Sequence, residues 1–159
     1  MPVEIEQKFL VADEAWRAMA GPGQRLRQAY LCASEKNSIR IRIANEVQAW
    51  LTIKSDFRGI ERDEYEYEVP VHDANDMLEL RHSGIIEKTR YLIPIDDLVW
   101  EVDVFSGDNT GLIMAEVELE HTTQALVVPA WIGAEVTGAP RYQNSALASQ
   151  PFKTWQLSQ

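Results

Sequence analysis

The chain has 159 residues, 45% of them hydrophobic and 25% charged, ordinary globular proportions that exclude global disorder. The length suits one domain, expected to run over residues 1–159. With 15 Lys+Arg against 25 Asp+Glu the formal charge is −10, so no nucleic-acid or membrane partner is expected unless the few basic residues are gathered in one place.

No apolar run has the length of a membrane helix, and the acidic start Met1-Pro2-Val3-Glu4 lacks the features of a signal peptide. Cys32 is the only cysteine, which excludes an intrachain disulfide and a cysteine-based zinc site. A reducing cytoplasm is the expected location.

Along the chain the recurring signal is alternation with period two, the mark of strands with two different faces. Val3 to Val11 is the first such segment, and Leu26 to Cys32 the second. Ile39 to Ile43 and Val47 to Ser55 follow, separated by a polar turn at Asn45-Glu46. Arg62 to Val71, Ile85 to Ile95, Val99 to Phe105 and Ile113 to Glu120 complete a set of eight. Helices are expected to be few and short. Asp13 is a candidate cap for Glu14 to Ala20, and Asp73 for Ala74 to Arg81 with Gly84 as its stop. Thr122 or Thr123 is a candidate cap for a short helix before Pro129, and Asn144 to Ser149 reads as a last turn. The fold class expected is mainly β (α+β): an eight-stranded antiparallel barrel with peripheral helices, since closure removes exposed edges.

Taking every second residue of each strand separates charged from apolar faces. Glu4, Glu6 and Lys8 oppose Ile5 and Phe9; Arg40 and Arg42 oppose Ile41 and Ile43; Thr52 and Lys54 oppose Leu51 and Ile53. Glu64, Glu66 and Glu68 oppose Tyr65 and Tyr67, and Lys88 and Arg90 oppose Thr89 and Tyr91. Glu101 and Asp103 oppose Val102 and Val104, and Glu116, Glu118 and Glu120 oppose Val117 and Leu119. A sheet with its charged face in water would explain any one strand. Over the whole chain, however, the charges sort into all-basic and all-acidic rows, and the helices are too few to cover an open sheet. The alternative is a barrel whose charged rows line a water-filled tunnel and whose apolar rows face outward under helices and loops. Buried charges are costly unless matched. Basic rows suit phosphate and acidic rows suit hard divalent cations, a combination used for phosphoryl transfer.

The same residues resemble a family. Glu4-Ile5-Glu6-Gln7-Lys8 is similar to the E-x-E-x-K signature of the CYTH superfamily, the triphosphate tunnel metalloenzymes. Arg40-Ile41-Arg42, Leu51 to Lys54, Glu64-Tyr65-Glu66, Lys88-Thr89-Arg90, Glu101 to Phe105 and Glu116-Val117-Glu118 resemble its later strands in order and spacing. Arg141 to Ala148 resembles its carboxy-terminal helix. The resemblance implies an eight-stranded tunnel and a metal-dependent triphosphatase using Mg²⁺ or Mn²⁺, nearest to the bacterial inorganic triphosphatase branch. Thiamine or nucleoside triphosphate hydrolysis, class IV adenylate cyclisation and non-catalytic polyphosphate binding stay open as alternatives.

On this resemblance Glu4, Glu6, Glu116 and Glu118 are the first candidates to hold metal, with Glu64, Glu66 and Asp103 for a second metal or the attacking water. Lys8, Arg40, Arg42, Lys54, Lys88 and Arg90 are expected on the triphosphate oxygens, with Tyr30 a further candidate. Glu4, Glu6, Lys8, Lys88 and Glu118 form the expected catalytic group. Glu68, Glu101 and Glu120 are placed at the mouth or in ion pairs. Cys32 is expected as a buried filler, Trp50 as a residue narrowing one end, and His72, His82 and His121 without a catalytic role. The apolar outer strands offer a surface for a homodimer.

Overall fold

The computed structural model describes residues 2–158, with side chains to residue 155. Eight long strands form where alternation was read: β1 (Val3–Val11), β2 (Gln24–Ala33), β3 (Asn37–Ala44), β4 (Gln48–Ser55), β5 (Glu61–Val69), β6 (Ile86–Ile95), β7 (Leu98–Ser106) and β8 (Ile113–Glu118). All pairings are antiparallel, in the order β5-β4-β3-β2-β6-β7-β8-β1, and β1 returns to β5 to close a barrel. β1 makes the closure possible by dividing its length: Val3–Ile5 pair with β5 and Glu6–Leu10 with β8. The β3–β4 turn is built on Asn45 and Glu46, both at positive φ (50° and 60°), the geometry that matches strand twist in a tight hairpin.

The apolar rows face outward and are covered there. Ile5, Phe9, Ile93, Val102 and Val117 pack in one buried cluster with Trp16, Trp100 and Trp131. Trp16 comes from a 3₁₀ turn (Ala15–Met19), and Trp131 from the loop before a ninth strand, β9 (Ile132–Glu135). A second outer cluster packs Ile41, Ile43 and Ala49 beneath Ala74 and Leu78 of α1 (Val71–Leu78). A third lies on the inward parity. Ile86, Phe105 and Met114 continue the inward rows past Lys88, Asp103 and Glu116, and pack with Tyr30 against Leu147 and Ala148 of α2 (Asn144–Ser149). The lumen is therefore blocked by apolar side chains at one end, where an open tunnel was expected.

Several local expectations are corrected. The segment Glu14 to Ala20 forms a 3₁₀ turn, though Asp13 Oδ1 does accept from the Ala15 N–H at 2.8 Å. α1 starts at Val71 behind Pro70, so Asp73 lies inside its first turn, and it ends at Leu78, well before Gly84. No helix follows Thr122 or Thr123: the chain turns once and then runs without regular structure to Pro129. β9 was not foreseen because Ile132-Gly133-Ala134-Glu135 is four residues with no clean alternation. It pairs with the end of β1. Cys32 is exposed, because a bulge between Tyr30 and Cys32 reverses the parity of β2. Trp50 is half-buried opposite Arg42 and Glu68 and is not part of the cavity lining. Among the described residues no helix is long and apolar enough to cross a membrane.

Candidate active site

The barrel encloses a cavity of about 150 Å³ whose lining is almost wholly polar. Seven cationic and seven acidic side chains face it, so an acidic chain gathers nearly half of its 15 basic residues in one place. Every candidate named from the sequence lines this cavity except Asp103. Strand parity does the sorting: each inward residue is two positions from the next, and pairing sets the rows side by side.

β1 and β5 build one side. Lys54 Nζ lies 2.7 Å from Glu4 Oε2 and 3.3 Å from Glu64 Oε2. Burial acts most strongly on Glu4 and would raise its pKa, but Lys54, hydrogen bonding with Glu64 and the Arg62 charge together hold it well below the carboxylate range. For Glu64, burial and hydrogen bonding with Glu4 win, and its pKa rises to about 7. At neutral pH the two carboxyls therefore tend to share a proton. Glu6 is pushed well above its ordinary value by burial and by the neighbouring charges of Glu116 and Glu4. Lys8 lies 3.6 Å from Glu116 and donates to the Tyr142 carbonyl at 3.4 Å. Burial would raise Glu116, but Lys8, Arg90 and Lys88 hold it low. Glu118, opposite Glu6 in the β1–β8 register, is raised by burial and by nearby carboxylates.

The opposite side is built on β6 and β7. Arg90 forks onto Asp103 at 2.8 and 2.9 Å and reaches Glu101 at 2.6 Å. Lys88 Nζ lies 2.8 Å from the same Asp103 and donates to Asn144 Oδ1 at 3.0 Å. Burial lowers Lys88 to about 7, only partly offset by Asp103. Asp103 is 1% exposed, with both oxygens engaged by two cations, so it sits behind the cavity wall as their counter-ion. That is a different position from the metal-facing one expected of it.

On β3, Arg40 donates to Thr52 at 3.3 Å and lies 3.8 Å from Glu66, which also accepts from Thr52. Tyr30 lines the cavity at its closed end, and His72, His82 and His121 do not line it. Sequence reading missed Ser38, Arg62 and Gln143 to Ser145, while Glu101, expected at the mouth or in an ion pair, lines the cavity paired with Arg90. Arg62 and Ser38 were legible by parity, standing two positions before Glu64 and Arg40. The 143–145 turn carried no strand signal and reaches the cavity only through tertiary packing.

The acidic set is chemically suited to a hard divalent cation, being all oxygen. Two carboxylates carry strain a cation would relieve: Glu4 Oε1 is buried and accepts no hydrogen bond, and the charges of Glu116 and Glu4 add to burial in pushing Glu6 up. As they stand, no group of three or more carboxylates among the described residues is placed to hold a metal ion; lysines occupy the space between them. Their oxygen donors are of the type such an ion takes.

A closed barrel with matched ionic rows around its lumen has the chemistry of a site for an anionic ligand. The chain belongs to the CYTH domain family, whose model matches residues 2–146. It is 44% identical over 156 residues to an inorganic triphosphatase of Acetivibrio thermocellus, covering 98% of this chain and 99% of that one. It is 38% identical over 152 residues to an inorganic triphosphatase of Nitrosomonas europaea, covering 91% and 96%. A crystal structure of an inorganic triphosphatase superposes with a TM-score of 0.64 at 34% identity, covering 93% of this chain and 95% of that chain. A protein of Pyrococcus horikoshii, 20% identical with a TM-score of 0.61 over 75% of this chain and 79% of that one, shares the fold.

Proposed function

We propose that this chain, acting as one domain over residues 1–159, is a metal-dependent triphosphatase that hydrolyses inorganic tripolyphosphate to pyrophosphate and phosphate within the barrel. The observation that carries the reading is the set of seven lumen cations facing seven carboxylates at the bottom of a blind cavity. Two relatives of nearly full length named inorganic triphosphatase support it.

In this proposal Lys8, Arg40, Arg42, Lys54, Lys88 and Arg90 bind the phosphate oxygens. Arginine supplies paired donors, and lysine compact charge. Tyr30 bounds the closed end. Glu4, Glu6, Glu116 and Glu118 are the residues that would hold Mg²⁺ or Mn²⁺. Such an ion would neutralise phosphate charge as the P–O bond loosens. Glu64, with a pKa of about 7, is suited to take a proton from the attacking water, and Glu66 to orient that water. Lys88, also near 7, is suited to assist the departing pyrophosphate. Asp103 is proposed to hold Lys88 and Arg90 in place.

The test is a substrate panel: tripolyphosphate, ATP and thiamine triphosphate at equal concentration, each with Mg²⁺ and with Mn²⁺. Highest kcat/KM on tripolyphosphate supports the proposal. Preference for an organic triphosphate redirects it, and binding without turnover under either ion defeats it.

A further inference from the structure

Six of the seven lumen cations have a carboxylate within 4.0 Å: Lys8, Arg40, Lys54, Arg62, Lys88 and Arg90. Arg42 is the exception among the described residues. Its Nε donates to Gln28 Oε1 at 2.7 Å, and its two terminal nitrogens donate to no group among the described residues. Gln28 is fully buried on the inward parity of β2, directly opposite Arg42 in the β2–β3 register. Its Nε2 donates to Asn144 Oδ1 at 3.1 Å, and that oxygen also accepts from Lys88 Nζ.

The donors thus run from Arg42 to Gln28 and from Gln28 to Asn144, and Lys88 donates to Asn144 from the other side. The Gln28 carboxamide is fixed in orientation by partners at both ends, and that of Asn144 through its oxygen, which accepts from both Gln28 and Lys88. A buried neutral acceptor holds a guanidinium through Nε without cancelling its charge, whereas a carboxylate there would form an ion pair and compete with an anionic ligand. A carboxylate at 28 would also set an oxygen against Asn144 Oδ1.

We propose that Gln28, together with Asn144 of α2, is a positioning device that presents Arg42, free of any direct ion pair, as a pre-aimed fork for a phosphoryl group and ties its placement to Lys88. The inference deepens the triphosphatase reading and rests on it. Gln28 touches neither substrate nor metal in this account; it acts through Arg42.

The experiment is steady-state hydrolysis of tripolyphosphate with Mg²⁺ by the full chain, in a double-mutant cycle of Gln28→Met and Arg42→Lys. Methionine keeps the length of glutamine without its hydrogen bonds, and lysine keeps the charge of arginine without Nε or the fork. Each single variant is expected to lose about 100-fold in kcat/KM, the usual cost of a mis-set binding group. The double variant should be within about threefold of Arg42→Lys alone, because groups acting as one unit do not add. Losses that multiply would overturn the inference, since a merely structural defect adds to any other. Gln28→Glu is expected to fall below Gln28→Met; wild-type kinetics in Gln28→Glu would also overturn it. Should Gln28→Met fail to fold, Gln28→Leu takes its place in the cycle with the same two outcomes. A wild-type chain that turns over no triphosphate defeats the functional reading itself. Turnover by the wild type with multiplicative losses defeats only the positioning role.

Discussion

Asp103→Asn separates a metal ligand from a structural counter-ion. The aspartate is buried, with Arg90 at 2.8 and 2.9 Å and Lys88 at 2.8 Å. Removing one member of a buried ion pair costs about 3–5 kcal/mol, because the remaining charge is left unmatched. Here Arg90 keeps Glu101 and Lys88 keeps Asn144, and the cavity admits water, so the lower end applies. At roughly 2–4 °C per kcal/mol for a chain of this size, about 3 kcal/mol lowers the melting temperature by roughly 6–12 °C. Thermal unfolding followed by circular dichroism reads this directly. Tripolyphosphate at 100 times its dissociation constant should return about 2.7 kcal/mol, since it binds only the folded chain. Divalent-cation affinity, measured by calorimetry, should stay near wild type. A variant with unchanged melting but lost cation binding would refute the reasoning and return Asp103 to the metal ligands.

Glu4→Gln and Arg40→Ala should each reduce tripolyphosphate kcat/KM by about 100-fold or more, as loss of a preorganised charge does, and full activity in either removes it from the site. Trp16→Ala should cost about 3–5 kcal/mol in stability by emptying the outer cluster, with kcat retained at temperatures where the variant is folded. Burial lowers Lys88 in the folded chain to about 7 from its ordinary 10.5, so above pH 7 the unfolded chain binds more protons at this group. Stability of the ligand-free wild type should therefore gain from Lys88 as pH rises from 7 towards 10. In Lys88→Met that gain should be missing, so the difference in unfolding free energy between the two chains must change over this window. For Glu64 the shift is upward, to about 7, so its contribution to stability falls as pH rises from about 4.5 to 7, and Glu64→Gln should remove that fall in chemical denaturation at stepped pH.

The barrel was legible because alternation is strict through Ile39 to Ile43 and clear in the first half of β1 and the second half of β5, and because a closed sheet needs that parity everywhere. The ionic rows were legible for the same reason: Glu4 to Lys8, Arg40 to Arg42 and Lys88 to Arg90 are two-residue steps. What parity cannot carry was missed. It fixes which face a residue occupies but not how far along the axis the lumen stays polar. The plug of Ile86, Phe105 and Met114 therefore went unread, although each continues a charged row. It also cannot see a bulge, so Cys32, expected buried, is exposed. Asp103 and Glu101 share a row, yet one lies behind the wall between Arg90 and Lys88 and the other lines the cavity. The turn bearing Asn144 reaches the lumen because Tyr142, Phe152 and Trp155 pack together beside it, a tertiary fact with no local signature.

The central claim is that the ionic rows hold a triphosphate and divalent cations together inside the barrel. Diffraction from crystals grown with Mn²⁺ and tripolyphosphate, collected at the manganese edge, tests it directly. The account predicts an anomalous peak among Glu4, Glu6, Glu116 and Glu118, with phosphate density reaching Arg40, Arg42 and Lys88. An empty lumen at saturating ligand, or manganese and phosphate found only on the outer face, would contradict it.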